Sequence, residues 1–144
     1  MPKTIFLDIG GVFITSKCLN TDPETGLVFY DENCLKAFND LLKQIPDYEI
    51  VLISNLVNVG IGVLAHFFRT QGLELVNNRK LHKIRDTRNK SEGIKEWLES
   101  NPRENFVIID DDEITQFKEK QIQTHYSSGF VEKLIPATLN VLLN

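Results

Sequence analysis

Apolar runs of three or four residues alternate along the chain with segments whose hydrophobic residues recur at helical spacing. Ile5, Phe6 and Leu7 are wholly apolar and lead into Asp8, the pattern of a strand buried on both faces. Residues 49–53 and 106–109 repeat that pattern, ending at Ser54-Asn55 and at Asp110-Asp111-Asp112. Weaker strand candidates lie at 73–76, 81–84 and 121–124. Leu35, Phe38, Leu41, Leu42 and Ile45 share one face of a helix over about 33–45, which Pro46 and Asp47 end. A second helix over about 59–70 turns Val63, Leu64, Phe67 and Phe68 to the core, with Gly72 closing it. Asn89 followed by Glu92 reads as an N-cap with its capping box, and Ile94, Trp97 and Leu98 form the buried stripe behind it. A terminal helix follows Gly129 and is kinked or restarted at Pro136. Residues 15–31 hold the turn signal Asp22-Pro23-Glu24-Thr25-Gly26, with Leu27 to Tyr30 as a short returning strand; this is a flap or hairpin over the end of the sheet. Strands alternating with helices across short connections predict an α/β fold. We expect one Rossmann-like three-layer domain over 1–144, its central parallel sheet carrying helices on both faces.

Composition narrows the function classes. A chain of 144 residues with 42% hydrophobic content is long enough for one well-filled core. Its net charge of −4 offers no general attraction to nucleic acid or membrane, although Arg79, Lys80, Lys83, Arg85, Arg88 and Lys90 form a local basic stretch. Cys18 and Cys34 are too few for a disulfide framework or a thiolate metal site. No signal peptide and no membrane-spanning run is read, so the expected location is the reducing cytoplasm.

The chemistry-bearing stretch is KTIFLDIGGVFIT, residues 3–15. An acid at the carboxyl end of a buried strand, followed by a glycine turn, is a usual place for ligand binding in an α/β sheet. Glycines let backbone approach a ligand and leave amides to meet an anion. The stretch resembles the first motif of the haloacid-dehalogenase (HAD) superfamily, apolar strand then Asp-x-Asp-Gly-(Thr or Val). Asp8, Gly11 and Val12 match, and Gly10 stands where the family has its second acid. Ser54 after IVLIS, Lys90 ahead of a helix, and Asp110 and Asp111 after FVIID match the later motifs in order. A closer resemblance is to the small HAD domain of Swiss Army Knife RNA repair proteins, carried by IFLDIGGVFITS, KSEGIKEWLES, ENFVIIDDD and QIQTHYSSGF. It departs at SNLVN, where that subgroup often has an arginine-bearing run.

The resemblance implies Mg²⁺-dependent phosphatase chemistry without a cap domain. Asp8 is then the nucleophile, with Ser54 and Lys90 as its catalytic companions. The phosphate would be bound by Gly10, Gly11, Ser54, Asn55 and Lys90, and the metal by Asp8, the Gly10 carbonyl and the Asp110–Asp111 pair, Asp111 foremost. Gly10 keeps a carbonyl for the metal and loses the general acid, which predicts weakened turnover. An uncapped site favours phosphate carried on a macromolecule: an RNA or DNA end, or a phosphoprotein. The alternative is a catalytically inactive HAD-like module that binds phosphate, metal or a protein partner. His66 sits among apolar helix residues and reads as packed or snorkelling there; His82 and His125 lack zinc-ligand spacing, and His125, after the fifth strand, is the distant substitute for the missing proton donor.

Overall fold

The computed structural model describes residues 1–54, 60–74, 80–85 and 88–144. Within them five strands form one sheet: β1 (Lys3–Leu7), β2 (Tyr48–Leu52), β3 (Leu81–Lys83), β4 (Phe106–Asp110) and β5 (Gln121–Gln123). Their order is β3-β2-β1-β4-β5, and every pairing is parallel. All carboxyl ends therefore share one edge, and the order reverses between β1 and β4, where open α/β sheets place their ligands.

Among the described residues four helices cover the sheet: α1 (Glu32–Lys43), α2 (Ile61–Gln71), α3 (Lys90–Ser100) and α4 (Ile135–Leu143). The strand alternation sends Ile5, Leu7, Ile50, Leu52, Val107 and Ile109 to one core, shared with Phe38, Leu41, Phe68 and Leu142 of α1, α2 and α4. Phe6, Val51, Ile53 and Ile108 point the other way, against Ile94, Trp97 and Leu98 of α3. Both faces of β1 are thus buried, the physical reason its sequence shows no polar alternation.

Helix ends follow the local chemistry. Asp31 caps α1 by accepting from the amides of Asn33 and Cys34 at 2.9 and 3.4 Å. Asn89 Oδ1 accepts from the Glu92 amide at 3.2 Å, the expected N-cap of α3. Gly72 ends α2 in the left-handed region, φ 104°. Pro136 sits in the first turn of α4, just after a 3₁₀ turn at Glu132–Leu134, so the chain restarts there.

Four expectations are corrected. Val63 is 62% exposed; α2 buries only the stripe Leu64, Ala65 and Phe68, because it packs at the sheet margin beside the short β3. Leu27–Tyr30 makes no strand: one antiparallel bridge, Thr21 to Val28, closes the loop over the Asp22–Gly26 turn, since no neighbouring strand is placed to extend it. Leu73 and Glu74 are non-strand, and the remainder of 73–76 lies outside the described residues. A 3₁₀ segment, Thr115–Lys120, bridges β4 and β5 where no element is expected. Among the described residues no insertion forms a cap.

Candidate functional site

The carboxyl edge of the sheet collects the acids. Asp8 follows β1, and its amide is held by the Ile109 carbonyl at 3.0 Å, which places it beside the end of β4. Asp110 closes β4 and is fully buried; Asp111 is the next residue. One carboxylate oxygen from each of Asp8, Asp110 and Asp111 lies within 4.8 Å of the others. Lys90, the first residue of α3, reaches in from the other side of the sheet. Its Nζ donates to Asp110 Oδ2 at 2.9 Å and to Asp8 Oδ2 at 3.2 Å, and stands 3.7 Å from Asp112 Oδ2. Ser54 is buried two residues beyond β2, on the strand next to β1. The structure thus brings Asp8, Ser54, Lys90, Asp110 and Asp111 to one edge; Asn55 lies outside the described residues.

Electrostatics at this edge are out of balance. Burial, then the charge of Asp8, raises the Asp110 carboxyl to about 6 against the pull of Lys90. Burial and Asp110 likewise raise Asp111. Burial alone would lower Lys90, but its bond to Asp110 and the charges of Asp8 and Asp110 outweigh that and raise it. Three clustered carboxylates facing this lysine keep residual negative charge, which a divalent cation would neutralise.

The two glycines of the turn differ. Gly11 has φ +75°, and a β-carbon there would run into the Asp111 side chain. Only glycine lets Asp111 close against the turn. The Gly11 amide, expected to meet an anion, donates instead to the Ile14 carbonyl at 2.9 Å. Gly10 is exposed, its φ is not positive, and a β-carbon there would meet nothing within 4 Å. The backbone at position 10 would accept a β-carbon without rearrangement.

Three positioning residues escape sequence reading. Gln121 donates to the Asp112 carbonyl at 2.6 Å and the Asp110 carbonyl at 3.3 Å, while accepting from the Ile114 amide at 2.8 Å. Gln123 donates to the Asp111 carbonyl at 3.0 Å, and Thr124 Oγ1 to the Gly11 carbonyl at 2.7 Å. Together they tie the acidic loop and the glycine turn to β5. The available signal was the alternation Gln121-Ile122-Gln123, with Ile122 alone in the core. His66 and His125 are exposed, and His82 pairs with Glu49 at 3.5 Å. The basic stretch disperses: Lys80 sits over the Tyr48 ring and Arg85 pairs with Glu96, and Arg79 lies outside the described residues.

A doubly covered parallel sheet with order β3-β2-β1-β4-β5, acids at the ends of β1 and β4 and a lysine opening the intervening helix define an HAD-like α/β domain. Residues 4–135 match the family described as the HAD domain in Swiss Army Knife RNA repair proteins, and the chain belongs to that family. No curated protein and no solved structure matches it. Among the described residues no helix is long and apolar enough to cross a membrane.

Proposed function

We propose that this domain is a Mg²⁺-dependent phosphatase-type hydrolase acting on a phosphate borne by a macromolecule, foremost an RNA end. The observation that carries this reading is the convergence of Asp8, Asp110 and Asp111 on Lys90 at the sheet's switch point. The name of the family, which speaks of RNA repair, supports the substrate class, as does a site without a cap among the described residues.

The donors fit a hard divalent ion: carboxylate oxygens of Asp8 and Asp111 and the Gly10 carbonyl are the groups that would hold Mg²⁺. Asp110 has both oxygens engaged, by Lys90 and by the Asp112 amide at 2.9 Å, so it serves chiefly to orient Lys90. Bound there, Mg²⁺ supplies charge neutralisation and Lewis acidity. Asp8 attacks phosphorus as the bond to the leaving oxygen breaks; water then attacks phosphorus of the acyl phosphate, freeing Asp8 and inorganic phosphate. Lys90 and the Ser54 hydroxyl balance and orient the phosphoryl oxygens. The departing alkoxide takes its proton from solvent, because Gly10 has no acid to give. That loss costs about 10²–10⁴-fold in rate. Both cysteines are free thiols, in keeping with a reducing cytoplasmic setting.

A second reading rests on Gly10 itself: a site that binds phosphate and metal, or docks a protein partner, without useful turnover. Hydrolysis of an aryl phosphate, whose leaving group needs little protonation, separates the two. Turnover that requires Mg²⁺, disappears in Asp8→Asn and rises in Gly10→Asp establishes the hydrolase. No turnover in any form, Gly10→Asp included, leaves the binding module.

A further inference from the structure

A strand that carries none of the proposed metal ligands holds both loops that do. Asp8 and the Gly10 carbonyl belong to the turn after β1, and Asp111 to the loop after β4. β5 ends beside that loop, with Gln123 in register with Asp110. From there the buried Thr124 donates to the Gly11 carbonyl at 2.7 Å, and the exposed Gln123 to the Asp111 carbonyl at 3.0 Å. Each bond lands on main chain within one residue of an atom that would hold the ion.

The turn needs outside support because Gly10 and Gly11 give it more backbone freedom than any other residue pair would. Its own bonds run from the Val12 and Phe13 amides to the Ile9 carbonyl at 3.1 and 2.9 Å, and from the Gly11 amide to the Ile14 carbonyl at 2.9 Å. The Gly10–Gly11 peptide is trans and planar. With its N–H on Ile14, its carbonyl, the proposed metal ligand, points the opposite way. Thr124 then fixes the far side of Gly11, whose amide and carbonyl are both held as a result. The chain beyond Thr124 continues the grip. Tyr126 offers its carbonyl to the Ser16 amide at 2.9 Å, and the Phe130 amide donates to the Val12 carbonyl at 2.9 Å.

We propose that Thr124 and Gln123 are positioning residues that make the site select Mg²⁺ over Ca²⁺. Mg²⁺ demands near-ideal octahedral geometry with oxygens at about 2.0–2.1 Å, whereas Ca²⁺ accepts looser sets at about 2.3–2.6 Å. A carbonyl on a glycine turn and a carboxylate on a neighbouring loop would suit Ca²⁺ if they were free to spread. Tied to one strand end, they keep a fixed separation, which favours the ion that tolerates least variation. This rests on the metal reading of the acid cluster and adds the residues that set its choice of ion.

Calorimetric titration of the whole chain with MgCl₂ and with CaCl₂ tests this without turnover. Thr124→Val keeps the side chain's shape and removes its donor. It should weaken Mg²⁺ binding about tenfold, the lower end for groups that orient metal ligands, and leave Ca²⁺ within about twofold because that ion adapts to a loosened site. Thr124→Ser, which keeps the donor, should restore the parent ratio of the two affinities. Gln123→Ala, at an exposed position where the core is untouched, should move the ratio the same way by a smaller factor. A ratio unmoved by Thr124→Val, whether both affinities fall together or neither falls, overturns the proposal and leaves the proposed function standing. Should Thr124→Val fail to fold, the ratio in Gln123→Ala decides in its place. Failure of the parent to bind Mg²⁺ overturns both.

Discussion

The two ends of the sheet bury charge in opposite ways. At the amino end, Glu49, the second residue of β2, is buried, yet both its oxygens are answered. Thr4 Oγ1 and Arg103 Nε donate to Oε2 at 2.6 Å each, Arg103 adds a second bond to Oε1 at 3.3 Å, and His82 stands 3.5 Å away. The Arg103 guanidinium in turn covers the Trp97 ring at 5.4 Å. At the carboxyl end, three carboxylates converge on Lys90, and the protein leaves Asp110 and Asp111 with raised proton affinities. A buried charge that the chain itself satisfies fastens structure. A cluster that keeps an excess of like charge has room for a cation, and that difference singles out the carboxyl edge as the candidate site.

Breaking the satisfied end should have the largest effect. Glu49→Ala strands Arg103 and should cost about 3 kcal/mol, read as a drop in denaturation midpoint. Asp110→Asn should leave the metal-free protein at least as stable as the parent at neutral pH. Equal losses from both substitutions would erase the contrast.

Next in size is the glycine pair. Gly11→Ala forces a side chain into the Asp111 carboxylate at positive φ and should cost about 2 kcal/mol along with Mg²⁺ binding. Gly10→Ala, with open space around it, should stay within about 0.5 kcal/mol. Chemical denaturation of the two variants checks this.

The unsatisfied end should also respond to pH and metal. Asp110 binds its proton more tightly folded than unfolded, so the folded state holds more protons between the ordinary value of 3.8 and about 6. The Asp110 contribution to stability therefore falls as pH rises through that window. Mg²⁺ should restore it above the window, by about 1.4 kcal/mol at a tenfold excess over Kd, and do little near pH 4. Thermal melts with Mg²⁺ and with chelator at pH 4.5 and 7.5 measure the difference.

The smallest effect concerns a buried group that can stay neutral. Burial first, with help from Asp31, pushes the Cys34 thiol up to about 12, and it donates to the Ser128 carbonyl at 3.3 Å. Cys34 should resist alkylation at pH 7.5 while half-buried Cys18 reacts, as peptide mass analysis would show. Fast labelling of Cys34 in the folded protein would mean that burial there is not maintained.

Much of the framework is legible in the sequence because it is local. β1, β2 and β4 announce themselves by runs that a two-faced burial demands, and α1 and α3 by their periodicity, with Asn89 as the cap of α3. Asp8 and the acids after FVIID stand where buried strands end, while Ser54 and Lys90 could be picked out only through their match to the order of the HAD motifs. Val63 was misplaced because periodicity cannot say how wide a stripe the neighbouring sheet will cover. The 27–30 segment has strand composition but no partner strand, and pairing is a tertiary matter.

What the sequence determined by itself is therefore the kind of each element and the chemical inventory at its ends. Tertiary structure decided the rest. The strand order β3-β2-β1-β4-β5 brought residues 82 and 102 positions apart from Asp8 into one cluster. The fold also decided that Gly11 yields its space to Asp111 while Gly10 faces open solvent, and that Glu49 meets Arg103 far along the chain. Local periodicity reports which face of an element is buried; the balance of a buried charge depends on groups the chain brings together only on folding.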